Sequence, residues 1–365
     1  MDFGIFNVMQ QRERTTTSKE VTGDALYLTR AAEEMGLTRA WYAEHHFSNY
    51  SLCPSPLMLI AHAAAITETI RLGTAVVVPP LYMPTRLLGE IAMADELSDG
   101  RLDLGVGFGY QRYEFERFGV ELDEKMDRTH ELLDMIELGL GQPHFSYDGK
   151  YYKQQKTAIN IRPVQQPHPP IWLATTDPKS IERTAEKGYA AFCSSRFANT
   201  KELAPMREHV DESFRAAGRD PDAMTLGVLS YCFVGETKAE VENYCDNARY
   251  QQRLARSLRA RRETILDDYW VEEKPFENEP SLDEIQDNIM AGDVETVTRR
   301  AVTLLREIRP THLTCYFQVG GIDRDTARRS MERFLEDVVP GIEREFGCPI
   351  AEINVPQAAE SAAAD

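Results

Sequence analysis

Short runs of apolar residues alternate with longer amphipathic stretches along most of this chain. Between the short runs, apolar residues recur at helical spacing, as do Leu87, Ile91 and Ala94. Buried strands that are each followed by a helix are typical of a parallel (βα)8 barrel, the TIM barrel. A doubly wound sheet is the main alternative, but it rarely supplies eight regular units in one domain. The predicted strands are residues 3–8, 40–44, 72–78, 102–108, 171–175, 190–194, 226–234 and 312–318.

Two stretches interrupt this alternation. Residues 141–168 contain a hairpin-like segment followed by proline-rich sequence. Residues 264–285 lack a period and carry Trp270 and Phe276. A loop of that length inside a compact domain is usually functional, for example as a lid, or disordered. We therefore predict one barrel domain over residues 1–350, with 141–168 as an insertion, 264–285 as a mobile lid and 351–365 as a flexible tail.

The balance of charged residues narrows the classes of partner. The chain has 59 acidic and 41 basic side chains, and its formal net charge is −18. Such a surface repels nucleic-acid phosphates and anionic lipids, so we expect neither as a partner. No apolar run approaches the ~20 residues that cross a bilayer, and the N-terminus lacks a secretory signal. The six cysteines include no Cys-x-x-Cys pair, which favours reduced thiols and a cytoplasmic protein.

The end of the second predicted strand carries candidate chemistry, because catalytic groups of TIM barrels lie at the C-terminal ends of strands. Glu44, His45 and His46 follow one another there. Side chains alternate along a strand, so Glu44 and His46 should point one way and His45 the other. A carboxylate beside two imidazoles can serve acid–base catalysis, join a metal site or form only a structural hydrogen bond. The strand-end position favours acid–base catalysis, and we predict no metal.

Two further strand ends have features that suit an anion or a flat ring. Gly105 and Gly107 on the fourth strand would let a ligand approach the backbone closely. After the fifth strand, Thr176, Asp177 and Ser180 begin a helix. Backbone amides at a helix N-terminus can bind an anion. A helix cap formed by Asp177 explains the same residues without any ligand.

Taken together and in order, these segments resemble the luciferase-like flavin monooxygenase family over residues 1–347. The resemblance implies that FMN binds across the C-terminal mouth of the barrel, after a separate NAD(P)H-dependent flavin reductase has reduced it. Reaction with O2 would give a C4a-(hydro)peroxyflavin that oxygenates a small organic substrate. The segments that carry the resemblance are Glu44–Phe47, Gly73–Ala75, Gly105–Phe115, Pro170–Ala174, Ala185–Gly188 and Phe334–Pro340.

The resemblance also assigns roles to individual residues. His45 matches the family's catalytic histidine, and Glu44 matches a carboxylate of the flavin site. Ala75 and Val76 match a non-prolyl cis peptide under the flavin ring. The other residues that the resemblance places at the cofactor are Gly107, Phe108, Gly109, Tyr110, Thr176, Asp177, Ser180 and Ser195.

Three positions depart from the family pattern at the phosphate end of the cofactor. Arginines that the family commonly has are replaced by Phe108 and Met126, and a family serine is replaced by Asp177. We therefore expect weak retention of FMN and only a small preference for FMN over riboflavin. The cations that could compensate are Lys179, Arg112, Lys125 and Arg196.

Two surface patterns complete the prediction. Arginines recur at helical spacing between Arg249 and Arg259, which favours a solvated face over a funnel for phosphate or substrate. The segment 57–66 is apolar nearly all round, so one face should meet the barrel and the other a second subunit, as in the family's homodimers.

Two other functions remain open at this point. One is a deazaflavin-dependent oxidoreductase of the same superfamily, which transfers hydride and does not use O2. The other is a flavin-free protein that acts only as a binding or subunit partner. Aromatic residues expected near the mouth favour an apolar or aromatic small-molecule substrate; these are Phe6, Tyr110, Tyr113 and Trp270.

Overall fold

The computed structural model of the chain describes residues 1–196, 200–266 and 269–354. The strands are β1 (Asp2–Asn7), β2 (Arg39–Tyr42), β3 (Arg71–Thr74), β4 (Leu102–Gly107), β5 (Phe145–Asp148), β6 (Lys153–Thr157), β7 (Ile171–Ala174), β8 (Ala190–Arg196), β9 (Leu226–Val234), β10 (Met290–Gly292) and β11 (His312–Tyr316). The helices are α1 (Ser18–Glu34), α2 (Pro56–Ala64), α3 (Pro84–Leu97), α4 (Arg112–Phe118), α5 (Lys125–Gly141), α6 (Pro178–Lys187), α7 (Thr200–Ala216), α8 (Lys238–Ala260), α9 (Leu282–Asn288), α10 (Val294–Glu307), α11 (Arg324–Arg333) and α12 (Val339–Phe346).

Parallel strands pair side by side to form a closed ring. Their order around the ring is β1, β2, β3, β4, β7, β8, β9 and β11, and the pairing of β11 with β1 closes it. Each of these strands overlaps one of the apolar runs that the sequence pattern indicated. The predicted (βα)8 barrel is therefore confirmed, and the open doubly wound sheet is excluded.

Two further β elements lie outside the ring of eight strands. β5 and β6 form an antiparallel hairpin inside the predicted insertion 141–168. The short strand β10, which the sequence pattern did not reveal, pairs with the last residues of β9 from Met290 to Gly292. Three residues are too few to produce a recognisable apolar alternation, which is why β10 escaped prediction.

Large aromatic rings fill the interior of the barrel. Trp41 of β2 is fully buried, and its ring contacts that of Phe192 at a centroid distance of 5.1 Å. Glycines on the neighbouring strands make room for this packing. A Cβ at Gly73 would lie 2.2 Å from the Trp41 ring, and a Cβ at Gly105 would lie 1.8 Å from the Thr74 carbonyl oxygen. Both distances are far below van der Waals contact, so a side chain at either position would force the strands apart.

The N-terminal ends of the strands carry a buried ion network. Arg39 donates to Asp103 at 3.0 Å and also to Asp2. His312 accepts a hydrogen bond from Trp41 Nε1 at 2.9 Å, so its own proton lies on Nδ1, which donates to Asp2. Burial would raise the pKa of Asp2, but the hydrogen bonds and charges of His312 and Arg39 outweigh burial and lower it. Internal partners thus satisfy this end of the barrel, which fits a role in stability.

The last described residues pack back onto the start of the chain. The Met1 ammonium donates to the carbonyl oxygen of Ile353 at 2.6 Å, and Ile353 is buried. Part of the predicted tail 351–365 is therefore docked on the barrel. Its remainder, residues 355–365, lies outside the described residues.

A membrane span, a metal cluster or a disulfide would each add a constraint beyond the barrel itself. None of the described helices combines the length and the apolar character that a bilayer crossing requires. Within the same ranges of the chain, no three His, Cys, Asp or Glu side chains converge closely enough to hold a metal ion. The six cysteines are free thiols.

Gly105→Ala is expected to lower the free energy of unfolding by about 2–3 kcal/mol, because the added methyl group collides with the Thr74 backbone. Gly23→Ala is the matched control, since Gly23 lies in α1 and a Cβ there meets nothing within 4 Å. That change should raise stability by up to about 1 kcal/mol through helix propensity. Equilibrium unfolding in urea measures both values. Equal effects at the two positions would contradict the packing argument.

Candidate active site

Glu44 links the loops that follow β2 and β3 at the C-terminal mouth of the barrel. Its Oε1 accepts a hydrogen bond from His46 Nε2 at 2.9 Å. Its Oε2 accepts one from the Val78 amide at 3.0 Å and one from the Tyr82 hydroxyl at 2.9 Å. Burial raises the pKa of Glu44, while these three donors act in the opposite direction. Both carboxylate oxygens are therefore engaged by the protein, and Glu44 holds the shape of the mouth.

His45 and Glu44 lie in the loop after β2, because the strand ends at Tyr42 and not at Glu44 as predicted, and the two side chains have different partners. His45 Nδ1 lies 3.0 Å from Oε1 of Glu114, and the same oxygen accepts the His46 amide at 2.7 Å. Because a carboxylate can only accept, the ring proton of His45 is held on Nδ1. Nε2 is then the nitrogen that can take up or release a proton.

Glu114 is a site residue that the sequence analysis missed. It lies in the first turn of α4 and its side chain is 2% exposed. A charged residue between Tyr113 and Phe115, both buried, was the signal that could have revealed it. Carboxylates are rarely buried among apolar side chains unless they are hydrogen-bonded or ion-paired.

A cluster of tyrosines surrounds the His45 ring. Tyr50 and Tyr110 meet that ring edge-on, at centroid distances of 4.7 and 5.6 Å. The Tyr110 hydroxyl donates to the Tyr50 hydroxyl at 3.2 Å, and Tyr50 accepts from Gln251 Nε2 at 2.6 Å. Burial raises the pKa of both phenols, so they remain neutral donors at physiological pH. The wall of the mouth next to His45 is therefore aromatic, with hydroxyl groups already hydrogen-bonded to one another.

Further aromatic rings extend this wall. Tyr231 stacks on Tyr316 with ring centroids 5.4 Å apart, and Phe6 meets Tyr316 edge-on at 5.1 Å. Phe6 and Tyr110 thus lie in the region predicted for them. Tyr50, Tyr231 and Tyr316 were not identified from the sequence, because each lies in a strand or loop whose pattern reads as core.

The predicted cis peptide between Ala75 and Val76 is present. A Cβ at Gly107 would lie 2.5 Å from the Val76 side chain, and one at Gly109 would lie 2.6 Å from the Phe115 ring. Protein contacts therefore account for both glycines. The idea that they are there to admit a ligand is not needed to explain them.

The predicted phosphate end has no arginine at the family position. Phe108 is buried, and its ring meets that of His130 edge-to-face at 5.5 Å. Asp177 caps α6, since its Oδ2 accepts the amide and the hydroxyl of Ser180 at 3.0 Å each. The capping interpretation is confirmed, and Thr176 beside it is exposed. Met126 packs against the core.

Ser195, which the resemblance placed at the cofactor, lies at the end of β8 and contacts β9. Its hydroxyl donates to Ser230 Oγ at 3.0 Å, and both residues line a cavity of about 350 Å³ bounded also by the start of α7, the segment from α9 to β10, and α10. In the described part of the chain, the lining of this cavity includes no member of the tyrosine cluster. The side chain of Arg196, which could have compensated for a lost arginine, lies outside the described residues.

The described residues of the predicted lid are called the strap here, a name for residues 264–266 and 269–280. The strap packs beside tyrosines of the mouth, since Val271 and Ile265 share a hydrophobic cluster with Tyr50 and Tyr113. Hydrogen bonds to Asn49, which is fully buried, anchor the strap. Asn49 Oδ1 accepts the Val271 amide at 2.8 Å, and the Asn49 amide donates to the Tyr269 carbonyl at 3.2 Å. Asn49 Nδ2 donates to the Gln11 carbonyl at 3.1 Å and to the Tyr250 hydroxyl at 2.9 Å. Asp267 and Asp268 of the predicted lid lie outside the described residues, and its mobility stays a prediction.

The predicted solvated face of α8 holds for Arg256 and Arg259, which are exposed, but not for Arg253. Arg253 is 16% exposed and forms ion pairs with Glu273 and Glu279 of the strap. Arg256 lies over the Phe276 ring at 4.1 Å. Two arginines of the repeat thus contact the strap, whereas Arg249 pairs with Asp246 of α8 itself.

With this geometry established, comparison with known proteins identifies the family. The sequence profile of luciferase-like monooxygenases matches residues 1–312. The chain belongs to the luciferase-like monooxygenase family. Over 244 residues it is 30% identical to the oxygenase component of the flavin-dependent trigonelline monooxygenase of Acinetobacter baylyi, a match that covers 66% of this chain and 67% of that one. The protein is thus an oxidoreductase of the flavin-dependent monooxygenase class.

Solved structures share the fold of this family member. The monooxygenase RslO1 from Streptomyces bottropensis aligns with a TM-score of 0.81 and 22% identity, covering 93% of this chain and 99% of that one. An F420-dependent secondary alcohol dehydrogenase with an F420-acetone adduct aligns with a TM-score of 0.73 and 18% identity, covering 93% and 98%. At such sequence identities the structural similarity supports the barrel fold only, and the chemistry has to be inferred from the residues of the site.

Asn49→Ala is expected to loosen the strap while the barrel stays folded. Unpaired buried polar groups cost about 1–3 kcal/mol, so tryptic cleavage after Arg261 or Arg262, which flank the strap, should accelerate roughly 5- to 150-fold. Limited proteolysis followed by mass spectrometry gives the rates at each bond. Asn243→Ala, at an exposed position on α8, is the control and should leave them unchanged. Wild-type rates in the Asn49 variant would show that the strap is fastened elsewhere.

Proposed function

We propose that this protein is the oxygenase component of a two-component monooxygenase that uses reduced FMN and O2 on an apolar or aromatic small molecule. One observation carries the proposal: Glu114 holds the proton of His45 on Nδ1, which presents Nε2 to a tyrosine-lined mouth next to the Ala75–Val76 cis peptide. A separate NAD(P)H-dependent reductase would supply the reduced flavin. The relative named as the oxygenase component of trigonelline monooxygenase supports this division of labour.

The residues of the mouth fit the ring end of a flavin better than its phosphate end. A flat cis peptide, aromatic walls and one imidazole nitrogen that has no partner among the described residues suit a planar heteroaromatic ring. Ala75, Val76, Gly107 and Tyr110 would line that ring. At the other end, Phe108 offers no charge to a phosphate, and Asp177 already occupies the amide of Ser180. Thr176, Gly109 and Ser195 are the remaining predicted contacts, and of these Ser195 lies in the separate cavity.

Bound reduced flavin would supply the electrons that activate O2. The chain itself would supply proton transfer and shelter from water. His45 Nε2 would give up or accept the proton as oxygen is transferred, and Glu114 would keep the ring in the required tautomer. Glu44 would act through His46 by holding the loop that carries His45. The tyrosine cluster and the strap would keep bulk water from the reacting atoms.

A deazaflavin-dependent hydride transfer is the second candidate, because an F420-dependent dehydrogenase shares the fold. The two functions differ in a simple observable. A monooxygenase consumes O2 together with substrate, whereas a deazaflavin enzyme reduces or oxidises its substrate without O2.

Homodimer formation is part of the proposal. α2 buries Leu57 and Ile60 against the barrel, while Met58 is 74% exposed on the opposite side. On and before α3, Met83 and Leu97 are also exposed. These apolar side chains fit a helix-packed contact with a second copy. The cytoplasmic location expected from the sequence likewise stays a prediction.

His45→Ala is expected to lower oxygenation by about 10²–10⁴-fold, the usual effect of losing a general acid or base, while flavin affinity changes little. The assay mixes enzyme, chemically reduced FMN and ¹⁸O2 with a panel of aromatic acids and phenols and detects labelled products by mass spectrometry. His144→Ala, at an exposed site, is the control. Unchanged turnover in the His45 variant would remove this residue from the mechanism. Failure of the wild type to bind flavin would favour the flavin-free alternative.

FMN is expected to bind less than tenfold more tightly than riboflavin, because an arginine–phosphate contact worth about 1.5–3 kcal/mol, or roughly 10- to 150-fold, is missing. Asp177→Ser should tighten FMN binding and leave riboflavin binding unchanged, since serine keeps a capping hydroxyl but removes the negative charge. Isothermal titration with both ligands gives the ratio directly. A hundredfold preference of the wild type for FMN would mean that another cation has replaced the arginine.

A further inference from the structure

Tyr50 lies beside His45 at the mouth of the barrel. It belongs to the loop between β2 and α2, and its ring meets the His45 ring edge-on at a centroid distance of 4.7 Å. The Tyr50 side chain is buried, whereas the neighbouring residues His45 and Tyr110 are partly exposed to solvent. A molecule that binds over those two rings would therefore lie next to Tyr50.

Two donors occupy the Tyr50 oxygen. Gln251 Nε2 donates to it at 2.6 Å, and the Tyr110 hydroxyl donates to it at 3.2 Å. The Gln251 amide cannot turn round at this contact, because its Oε1 already accepts from Gln252 Nε2 at 2.8 Å and from the Tyr231 hydroxyl. Its Nε2 is thus held toward Tyr50, and an amide nitrogen can only donate.

The hydrogen of the Tyr50 hydroxyl is consequently left over. In the part of the chain that the structure describes, the two bonds from Gln251 and Tyr110 are the hydrogen bonds of this hydroxyl, and in both it accepts. Oε1 of Gln111, the residue after Tyr110, has no hydrogen-bond partner there, so it does not accept this hydrogen. Burial raises the pKa of Tyr50, so the hydrogen is present at neutral pH. A buried donor without an acceptor destabilises a fold unless a ligand supplies the acceptor.

Reversing the bond between the two phenols does not remove the spare hydrogen. If Tyr50 donated to Tyr110, the Tyr110 hydroxyl, which also accepts from Gln111 Nε2 at 3.4 Å, would carry that hydrogen instead. The rings of both tyrosines meet the His45 ring edge-on. In either arrangement the pair offers one hydrogen-bond donor beside His45.

We propose that Tyr50 determines substrate specificity by donating a hydrogen bond to an oxygen atom of the organic substrate, such as the carbonyl oxygen of an aromatic ketone. The inference rests on the proposed function for the identity of the ligand as substrate. It narrows the substrate class from apolar or aromatic molecules in general to those that carry an acceptor oxygen. A hydrocarbon of similar shape would leave the Tyr50 hydrogen unpaired, and a site built to form a hydrogen bond discriminates against such an analogue.

The test uses acetophenone and ethylbenzene, which are similar in shape but differ in the carbonyl oxygen. In protein saturated with riboflavin, Tyr50→Phe should weaken acetophenone binding about 2- to 13-fold, the effect of one net hydrogen bond, and change the affinity for ethylbenzene by less than about twofold. Tyr110→Phe should keep the wild-type ratio of the two affinities, because Tyr50 retains its hydrogen. Tyr27→Phe, on α1, is the control for the loss of a hydroxyl group. Isothermal titration measures each affinity.

The outcomes separate this inference from the proposed function. Failure of the wild type to bind riboflavin would count against the flavin enzyme, and the same two probes are then titrated into the protein alone. The role of Tyr50 is overturned if acetophenone does not bind at millimolar concentration, or if Tyr50→Phe weakens the binding of both probes equally or of neither. It is also overturned if Tyr110→Phe alone weakens acetophenone binding selectively, because the spare hydrogen would then belong to Tyr110.

Discussion

The close approach of β3 to β4 is the constraint on which the rest of this barrel depends. Because Gly105 has no side chain, its strand can lie directly against the Thr74 carbonyl. The missing side chain of Gly73 leaves room for the Trp41 ring. With those two side chains absent, one indole can fill the centre and the ring can close around it. Closure brings the ends of β2, β3 and β4 to the same edge. The residues after them then meet although they lie far apart in the chain.

Two buried carboxylates fix the relative positions of the segments that follow these strands. Glu44 joins the loop after β2 to the segment after β3, and Glu114 joins the same loop to α4. A buried carboxylate is costly unless hydrogen bonds surround it, so each position tolerates only the arrangement that satisfies it. His45 is held between these two fixed points. Its orientation is thus a property of three loops and not of its own backbone alone.

The parts of the structure that could be predicted are those encoded locally. Apolar runs located the ring strands, and the strand-end position marked Glu44, His45 and His46 as site candidates, although β2 ends two residues before Glu44. The cis peptide followed from resemblance, since nothing in the residues Ala75 and Val76 themselves indicates it. The capping role of Asp177 was visible as an N-cap pattern, and the structure shows that cap. Anion binding at the same helix end stays a prediction. Glu114, Tyr50 and Asn49 escaped, because their partners lie 69 to 222 residues away along the chain.

Asn49 places an unusual condition on how this molecule can change over evolutionary time. The side-chain amide of Asn49 hydrogen-bonds to three separate stretches of chain, which are the segment after β1, α8 and the strap. A replacement at this position would have to suit all of them at once. The outward-facing residues of the strap do not have to satisfy several hydrogen-bond partners at once. Substitutions among the exposed residues of the strap can therefore change which molecules enter the mouth, while the attachment of the strap through Asn49 stays the same.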